Sequence, residues 1–192
     1  MFVPEDSGSL RERKKAQTRL AIRRAAFRLF EQHGYANTTV EQIAEAAEVS
    51  PRTFYRYFGV KEAVLISDDH VSPVVAAFAA APKELSTVAA YRHAIHTVFG
   101  GLSAEEREDA IIGQRLLYQV PEAYGLIYAE YIRLIDLLAD VLADRLGPDV
   151  DEFERRMIAG ALVGVIIATA HDNPLPEGDY FRALTLLDEH LS

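Results

Sequence analysis

The chain is cut into short helix-compatible segments by start and stop signals, and none of them alternates apolar and polar residues with a period of two. Residues 10–33 place Ile22, Ala26, Leu29 and Phe30 at helical spacing, and His33-Gly34 ends that segment, since glycine is favoured just past a helix terminus. Thr38-Thr39 then caps an expected helix over 40–48, with Val40, Ile43, Ala44 and Ala47 inward. Ser50-Pro51 opens another helix, to about Tyr57: serine caps it, and proline at the first helical position has no N–H to leave unpaired. Gly59 separates it from a segment beginning near Lys61.

The same punctuation continues. Pro73 is expected to kink or break a helix near Ser72, and Pro82 to end the Ala-rich stretch behind it. Ser86 opens a helix to Phe99, and Ser103 with Glu106 forms the capping box of one to Gln119. Pro121 opens a long helix to Leu146, closed by Gly147-Pro148, and residues 151–170 and 179–191 complete the set. The fold class is all-α, with nine or ten helices.

At 192 residues the chain has room for one or two domains with a sizeable core, and 49% hydrophobic with 26% charged residues fits a globular protein. The absence of cysteine excludes disulfides, thiolate catalysis and thiolate-ligated metal. The first nine residues lack the basic, apolar, small-residue layout of a secretory signal. The longest nearly unbroken apolar run, 157–170, falls short of the roughly 18–20 residues that span a bilayer. A cytoplasmic protein with no membrane partner is expected.

Net charge is −9, which by itself argues against a polyanion partner, but the average hides an asymmetry. Residues 1–66 hold 11 Lys and Arg against 8 Asp and Glu, whereas residues 67–192 hold 9 against 21. Within 10–61 the count is 11 against 5. Such a split points to a nucleic-acid module attached to something else. The expected domains are 10–66 and 67–192.

Two short helices joined by a tight turn, 40–48 and 50–57, fit a helix-turn-helix preceded by a supporting helix. In the second helix Phe54 and Phe58 lie four apart and pack inward, leaving Arg52, Thr53, Tyr55, Arg56 and Tyr57 to supply the exposed positions. That surface suits a major groove, which admits an α-helix and offers acceptors to Arg and a methyl group to Thr or Tyr. Lys61 and the helix start at Thr38 and Thr39 are expected to meet phosphates, with Ser50 and Pro51 beside them. The cluster Arg11 to Lys15 is expected to act as a basic arm on phosphate or the minor groove, and Tyr35 to pack structurally.

The runs Gly34-Tyr35-Ala36-Asn37-Thr38-Thr39-Val40-Glu41-Gln42-Ile43-Ala44, Val49-Ser50-Pro51-Arg52-Thr53-Phe54-Tyr55-Arg56-Tyr57-Phe58 and Lys61-Glu62 closely resemble the DNA-binding domain of the TetR family of transcriptional regulators. The resemblance covers about residues 10–66. Glu48 stands at the turn position where many members carry glycine. The resemblance implies a homodimer whose second motif helix reads half of a near-palindromic DNA operator. It also implies a larger C-terminal domain that dimerises through its last two long helices and binds a small-molecule inducer. Repression is expected rather than activation, because steric occlusion needs no further contact.

In the C-terminal two-thirds, Gly160 and Gly164 lie four apart with Ala168 following, a spacing that lets another helix approach closely. We expect a dimeric bundle formed by this helix and the last one, with Leu184 and Leu187 at the interface. An effector cavity is expected among the central helices, with His96, Phe99, Arg115, Tyr118 and Tyr128 as its ligand contacts and a small, partly apolar ligand.

Two other functions compete. His171-Asp172, with His93 and His96 three apart, is reminiscent of the all-α HD-type metal-dependent phosphohydrolases. The pair sits beside Asn173-Pro174, past an expected helix end, and no register of three histidines accompanies it. The stripe Asp136, Asp140 and Asp144 reads as a solvated face, and no Gly-rich phosphate loop or nucleophile elbow is present. A helical interaction module without DNA binding is the second alternative, opposed by the intact Arg52–Tyr57 surface. The expectation is therefore a regulator and not an enzyme, with no catalytic residues, metal or cofactor.

Overall fold

The computed structural model describes residues 7–66, 70–171 and 173–191, and these form helices joined by turns, with no strand among them. The chain divides into two compact units, Met1–Leu65 and Ile66–Ser192. Asp172, and the first residues where a leader was sought, lie outside the described residues.

The first unit contains α1 (Ser7–His33), α2 (Val40–Ala46), α3 (Pro51–Phe58) and a 3-10 turn, Glu62–Leu65. Gly34 ends α1 at φ 80°, in the left-handed region where glycine meets no Cβ penalty. Thr39 caps α2 through a full capping box with Gln42, and Ser50 caps α3 ahead of Pro51. Ile22, Ala26 and Phe30 of α1 are buried with Val40, Ile43 and Ala44 of α2, and with Phe54 and Phe58 of α3. Leu29, at the same helical spacing, is only half-buried. The segment after Gly59 is a 3-10 turn rather than the expected helix.

The second unit contains α4 (Val71–Ala80), α5 (Thr87–Gly100), α6 (Ala104–Gln119), α7 (Tyr124–Leu146), α8 (Glu152–Thr169) and α9 (Asp179–Leu191). Pro73 does not break α4. It lies in the first helical turn, where the missing N–H has no intrahelical acceptor to lose, so the helix starts ahead of it at Val71. Pro121 opens a 3-10 turn that runs directly into α7. Capping boxes at Ser103–Glu106 and Asp151–Glu154 start α6 and α8.

Phe78, Tyr91, Leu138, Leu142, Leu162 and Leu184 are essentially inaccessible and centre the core of this unit. Each contributes about 1.5–3 kcal/mol by leaving water. Tyr91 and Tyr180 carry their hydroxyls into that core and meet each other at 3.5 Å. Burial pushes the Tyr91 phenol up to about 12, and pushes Tyr180 well above the ordinary phenol range. Arg145 at the end of α7 donates to the carbonyls of Ala81 (3.3 Å), Pro82 (2.7 Å) and Leu85 (2.7 Å). One guanidinium thereby satisfies three acceptors of the α4–α5 connection.

Candidate nucleic-acid interface and effector cleft

The candidate reading surface is built by anchoring α3 from beneath. Phe54 and Phe58 are buried and in contact, ring centroids 5.3 Å apart. Arg19 of α1 lies 4.9 Å over the Phe58 ring and donates to the Tyr57 carbonyl at 3.1 Å, satisfying an acceptor in the last turn of α3. Arg23, one turn along α1, donates to the Val64 carbonyl at 3.2 Å. Neither arginine was singled out from sequence as a positioning residue; their i, i+4 spacing on one flank of α1 is the signal that was available.

With its inner face fixed, α3 presents Ser50, Pro51, Arg52, Tyr55 and Arg56 outward, with Thr53 and Tyr57 half-exposed. Tyr55 is 49% exposed although it is a large aromatic, a cost the chain's own packing does not repay. The Arg56 guanidinium stacks 5.2 Å over the Tyr57 ring. Ser50 accepts from the Thr53 amide at 3.1 Å and lies 3.0 Å from its hydroxyl, so these two side chains also organise the start of the helix.

Two expected phosphate contacts are placed otherwise. Thr38 is 1% exposed, and its hydroxyl donates to the Gly34 carbonyl at 2.9 Å, so it packs the α1–α2 turn and does not face outward. Lys61 turns its ammonium onto the carbonyls of Tyr35 (2.9 Å) and Thr38 (3.0 Å), across the Tyr35 ring. The spacing seen in sequence showed a cation beside the motif but not its direction. Thr39 stays exposed as the cap of α2, its hydroxyl accepting from the Gln42 amide at 3.2 Å. Tyr35 packs as expected against Phe30 at 5.2 Å, and donates to Glu62 at 3.1 Å.

The turn between the two motif helices is left-handed at Glu48, φ 54°, the one non-glycine positive φ among the described residues. Glutamate therefore sustains a conformation that glycine adopts without a Cβ clash. Ahead of the packed part of α1, residues 10–17 are exposed on every side, so Arg11, Arg13, Lys14 and Lys15 sit on a helical extension rather than an irregular arm.

In the second unit a cleft of about 390 Å³, open to solvent, lies between α5 and α9. Leu85, Ala89, Arg92, His93, His96 and Phe181 line it. Of the five expected ligand contacts only His96 is there. Phe99 is half-buried against His70, ring centroids 5.0 Å apart. Tyr118 meets the Tyr131 hydroxyl at 2.5 Å and the edge of the His171 ring at 5.3 Å. Arg115 is exposed on α6, and Tyr128 is 68% exposed on α7. These four side chains stand on three different helices, α5, α6 and α7, whose rotation toward the cleft sequence does not fix.

On α8 the expected small-residue face is open: a Cβ at Gly160 or Gly164 would meet nothing within 4 Å, and Ala168 is exposed. Phe153, Met157 and Ile167 are exposed on the same helix, at 70%, 56% and 54%. Leu187 of α9 is half-buried, but Leu184 is completely buried within its own unit, so its core role replaces the expected interface role. Asp136 of the acidic stripe pairs with Arg156, a surface ion pair rather than part of a cation site. Among the described residues no three His, Asp or Glu side chains converge as metal ligands, and no helix is long and apolar enough to cross a membrane.

A buried-faced helix presenting arginine and tyrosine, set across a tight turn from a second short helix and joined to a separate helical unit, defines a helix-turn-helix transcriptional regulator. The family model for bacterial regulatory proteins of the tetR family matches residues 22–67, and that for the MftR C-terminal domain matches residues 85–192. The HTH-type transcriptional regulator TcmR of Streptomyces glaucescens is 38% identical over 167 residues, 81% of this chain and 73% of that protein. The chain belongs to the TetR family, DNA-binding regulators that are typically ligand-responsive repressors. Among solved structures, Thermus thermophilus FadR, a TetR-family repressor in complex with lauroyl-CoA, is similar with a TM-score of 0.50 and 28% identity, covering 90% of this chain and 92% of that one. NalD, the secondary repressor of the MexAB-OprM multidrug efflux pump in Pseudomonas aeruginosa, shares the fold, with a TM-score of 0.54 at 22% identity over 92% of this chain and 96% of that one.

Proposed function

We propose that the protein is a cytoplasmic, homodimeric repressor without catalytic activity, released from its operator by a small, partly apolar molecule. In this reading residues 10–66 bind DNA, and residues 67–192 dimerise and receive the effector. Two copies of α3 enter successive major grooves of a near-palindromic site, about one helical turn apart. Arg52, Thr53, Tyr55, Arg56 and Tyr57 face base edges and the adjoining backbone, while Thr39, Ser50 and Pro51 approach phosphate at the helix starts. The basic extension Arg11–Lys15 adds sequence-independent attraction.

The observation that carries this reading is the outward set Arg52, Tyr55 and Arg56 on a helix whose other face is locked by Phe54 and Phe58. Homodimerisation is supported by the open glycine face of α8, because glycine inside a helix costs about 1 kcal/mol relative to alanine and here leaves room that none of the described residues fills. In place of Leu184, the exposed Met157 and Ile167 join Gly160, Gly164, Ala168 and Leu187 in the proposed interface. A partly apolar effector fits both the cleft lined by Leu85, Ala89 and Phe181 and the lauroyl-CoA complex of the similar FadR. Such a ligand shifts DNA binding only by its differential affinity for the bound and released states.

The test is fluorescence anisotropy on the DNA upstream of the protein's own gene against scrambled duplex, across a salt series. Salt-sensitive binding that keeps its preference for the upstream fragment upholds the reading. If neither that fragment nor duplexes selected from random DNA are preferred, sequence-specific recognition is refuted.

A further inference from the structure

The cleft between α5 and α9 is chemically unlike the unit that surrounds it. Residues 67–192 carry 21 Asp and Glu against 9 Lys and Arg, yet α5 has no carboxylate and places Arg92, His93 and His96 along one exposed face. All three line the cleft, whose remaining lining is Leu85, Ala89 and Phe181. The imidazole of His96 lies 6.4 Å from the Phe181 ring. Arg92 donates to the Thr185 hydroxyl at 3.3 Å, which steadies the guanidinium at the rim with one of its five N–H donors. Asp188 of α9 accepts from the Ser86 hydroxyl at 2.8 Å, next in sequence to Leu85 of the lining.

The polar groups of the lining are thus an arginine and two imidazoles, all able to donate to an oxyanion, and the rest of the lining is aliphatic and aromatic. A cation has no acceptor among the lining side chains other than a neutral imidazole nitrogen. A wholly apolar ligand would leave the guanidinium without a charged partner, whereas a carboxylate matches its fork geometry. The volume is at the lower end of the range for small-molecule sites. We infer that this cleft binds an organic monoanion with a compact apolar body, its carboxylate against Arg92, His93 and His96 and its hydrocarbon on Leu85, Ala89 and Phe181. That its occupancy releases DNA rests on the regulator reading above.

Isothermal titration calorimetry of the full chain with octanoate and 4-phenylbutanoate, and with octanamide as the uncharged counterpart of octanoate, tests the site. Both carboxylates bind, octanamide binds at least about tenfold more weakly, and Arg92→Gln and His96→Gln each weaken octanoate by about tenfold, the loss of one charge-assisted hydrogen bond. Both positions are exposed, so the thermal midpoint stays at its wild-type value and separates a lost contact from a lost fold. Equal binding of octanoate and octanamide overturns the anion site. So does octanoate binding that survives the Arg92→Gln/His96→Gln double variant, and so does absence of binding by both carboxylates. A parallel anisotropy experiment on upstream DNA distinguishes the two readings. Octanoate that binds but leaves the DNA complex intact upholds the site and removes its role as the signal. Failure of DNA binding itself refutes the regulator and leaves the calorimetric result standing.

Discussion

The Lys61 ammonium lies 2.9 Å from the carbonyl oxygen of Tyr35 and 3.9 Å from the centroid of the same residue's ring. One cation therefore closes the α1–α2 turn from two directions, while its third contact, the Thr38 carbonyl at 3.0 Å, ties it to the residue before the α2 cap. Lysine here is a structural fastener, which separates its effects on folding from any effect on DNA.

Lys61→Met keeps the aliphatic stem and removes the donors. The expected loss is about 1–2 kcal/mol, discounted for partial exposure, read as a lower thermal midpoint. The slope of log K against log salt for DNA binding stays unchanged, since a lost phosphate contact would reduce it by about one. A reduced slope with an unchanged midpoint would return Lys61 to the phosphate surface.

Arg52→Ala and Arg56→Ala act in the opposite sense. Both side chains are exposed, so folding is retained, while discrimination between operator and scrambled duplex falls by about 1–3 kcal/mol for each residue that reads a base. A uniform loss on both duplexes would assign the residue to the backbone instead. The comparison needs the full salt series.

Glu48→Gly relieves a left-handed backbone at the cost of a more flexible unfolded chain. The steric penalty of roughly 1–2 kcal/mol exceeds the glycine entropy cost of about 0.5–1 kcal/mol, leaving a net gain of about 0.5–1 kcal/mol. Urea midpoints of the two proteins check the sign.

Gly164→Leu introduces a side chain into space that the chain leaves open. Helix propensity favours the change by about 0.7–1 kcal/mol, so folding of the chain is not impaired. Sedimentation velocity is expected to show a shift from dimer to monomer, because the close approach of a second helix is blocked. A dimer that persists unchanged would move the interface away from α8.

Tyr91 gives the alkaline limb of stability. Its phenol is pushed up to about 12 by burial, so its contribution is whole below about pH 10, where the unfolded chain still holds the proton. Above that the unfolded chain ionises first, and stability falls by about 1.4 kcal/mol per pH unit until the buried phenol also titrates. Tyr91→Phe removes this loss, so its denaturant midpoint is expected to decline less than that of the wild type between pH 9 and 11.

The helices and the class of function were legible in the sequence because their signals are local. Ser50-Pro51, the Ser103–Glu106 box and the glycines after His33 and Leu146 each act within one turn of chain, so nearest-neighbour chemistry sets the helix ends. The Phe54–Phe58 spacing gave the inner face of α3 for the same reason, and with it the outward arginines. Glu48 was legible only as a departure from glycine, since its φ depends on how α2 and α3 pack. The turn of Lys61 onto Tyr35, the burial of Thr38 and Leu184, and the meeting of His96 with Phe181 rather than with Tyr118 are contacts between distant segments. A one-dimensional pattern gives the composition of each helix face but not the rotation of one helix against another. Packing sets that rotation, so the tertiary structure alone decided that Thr38 and Leu184 became core, that Lys61 became a fastener and which side chains line the cleft.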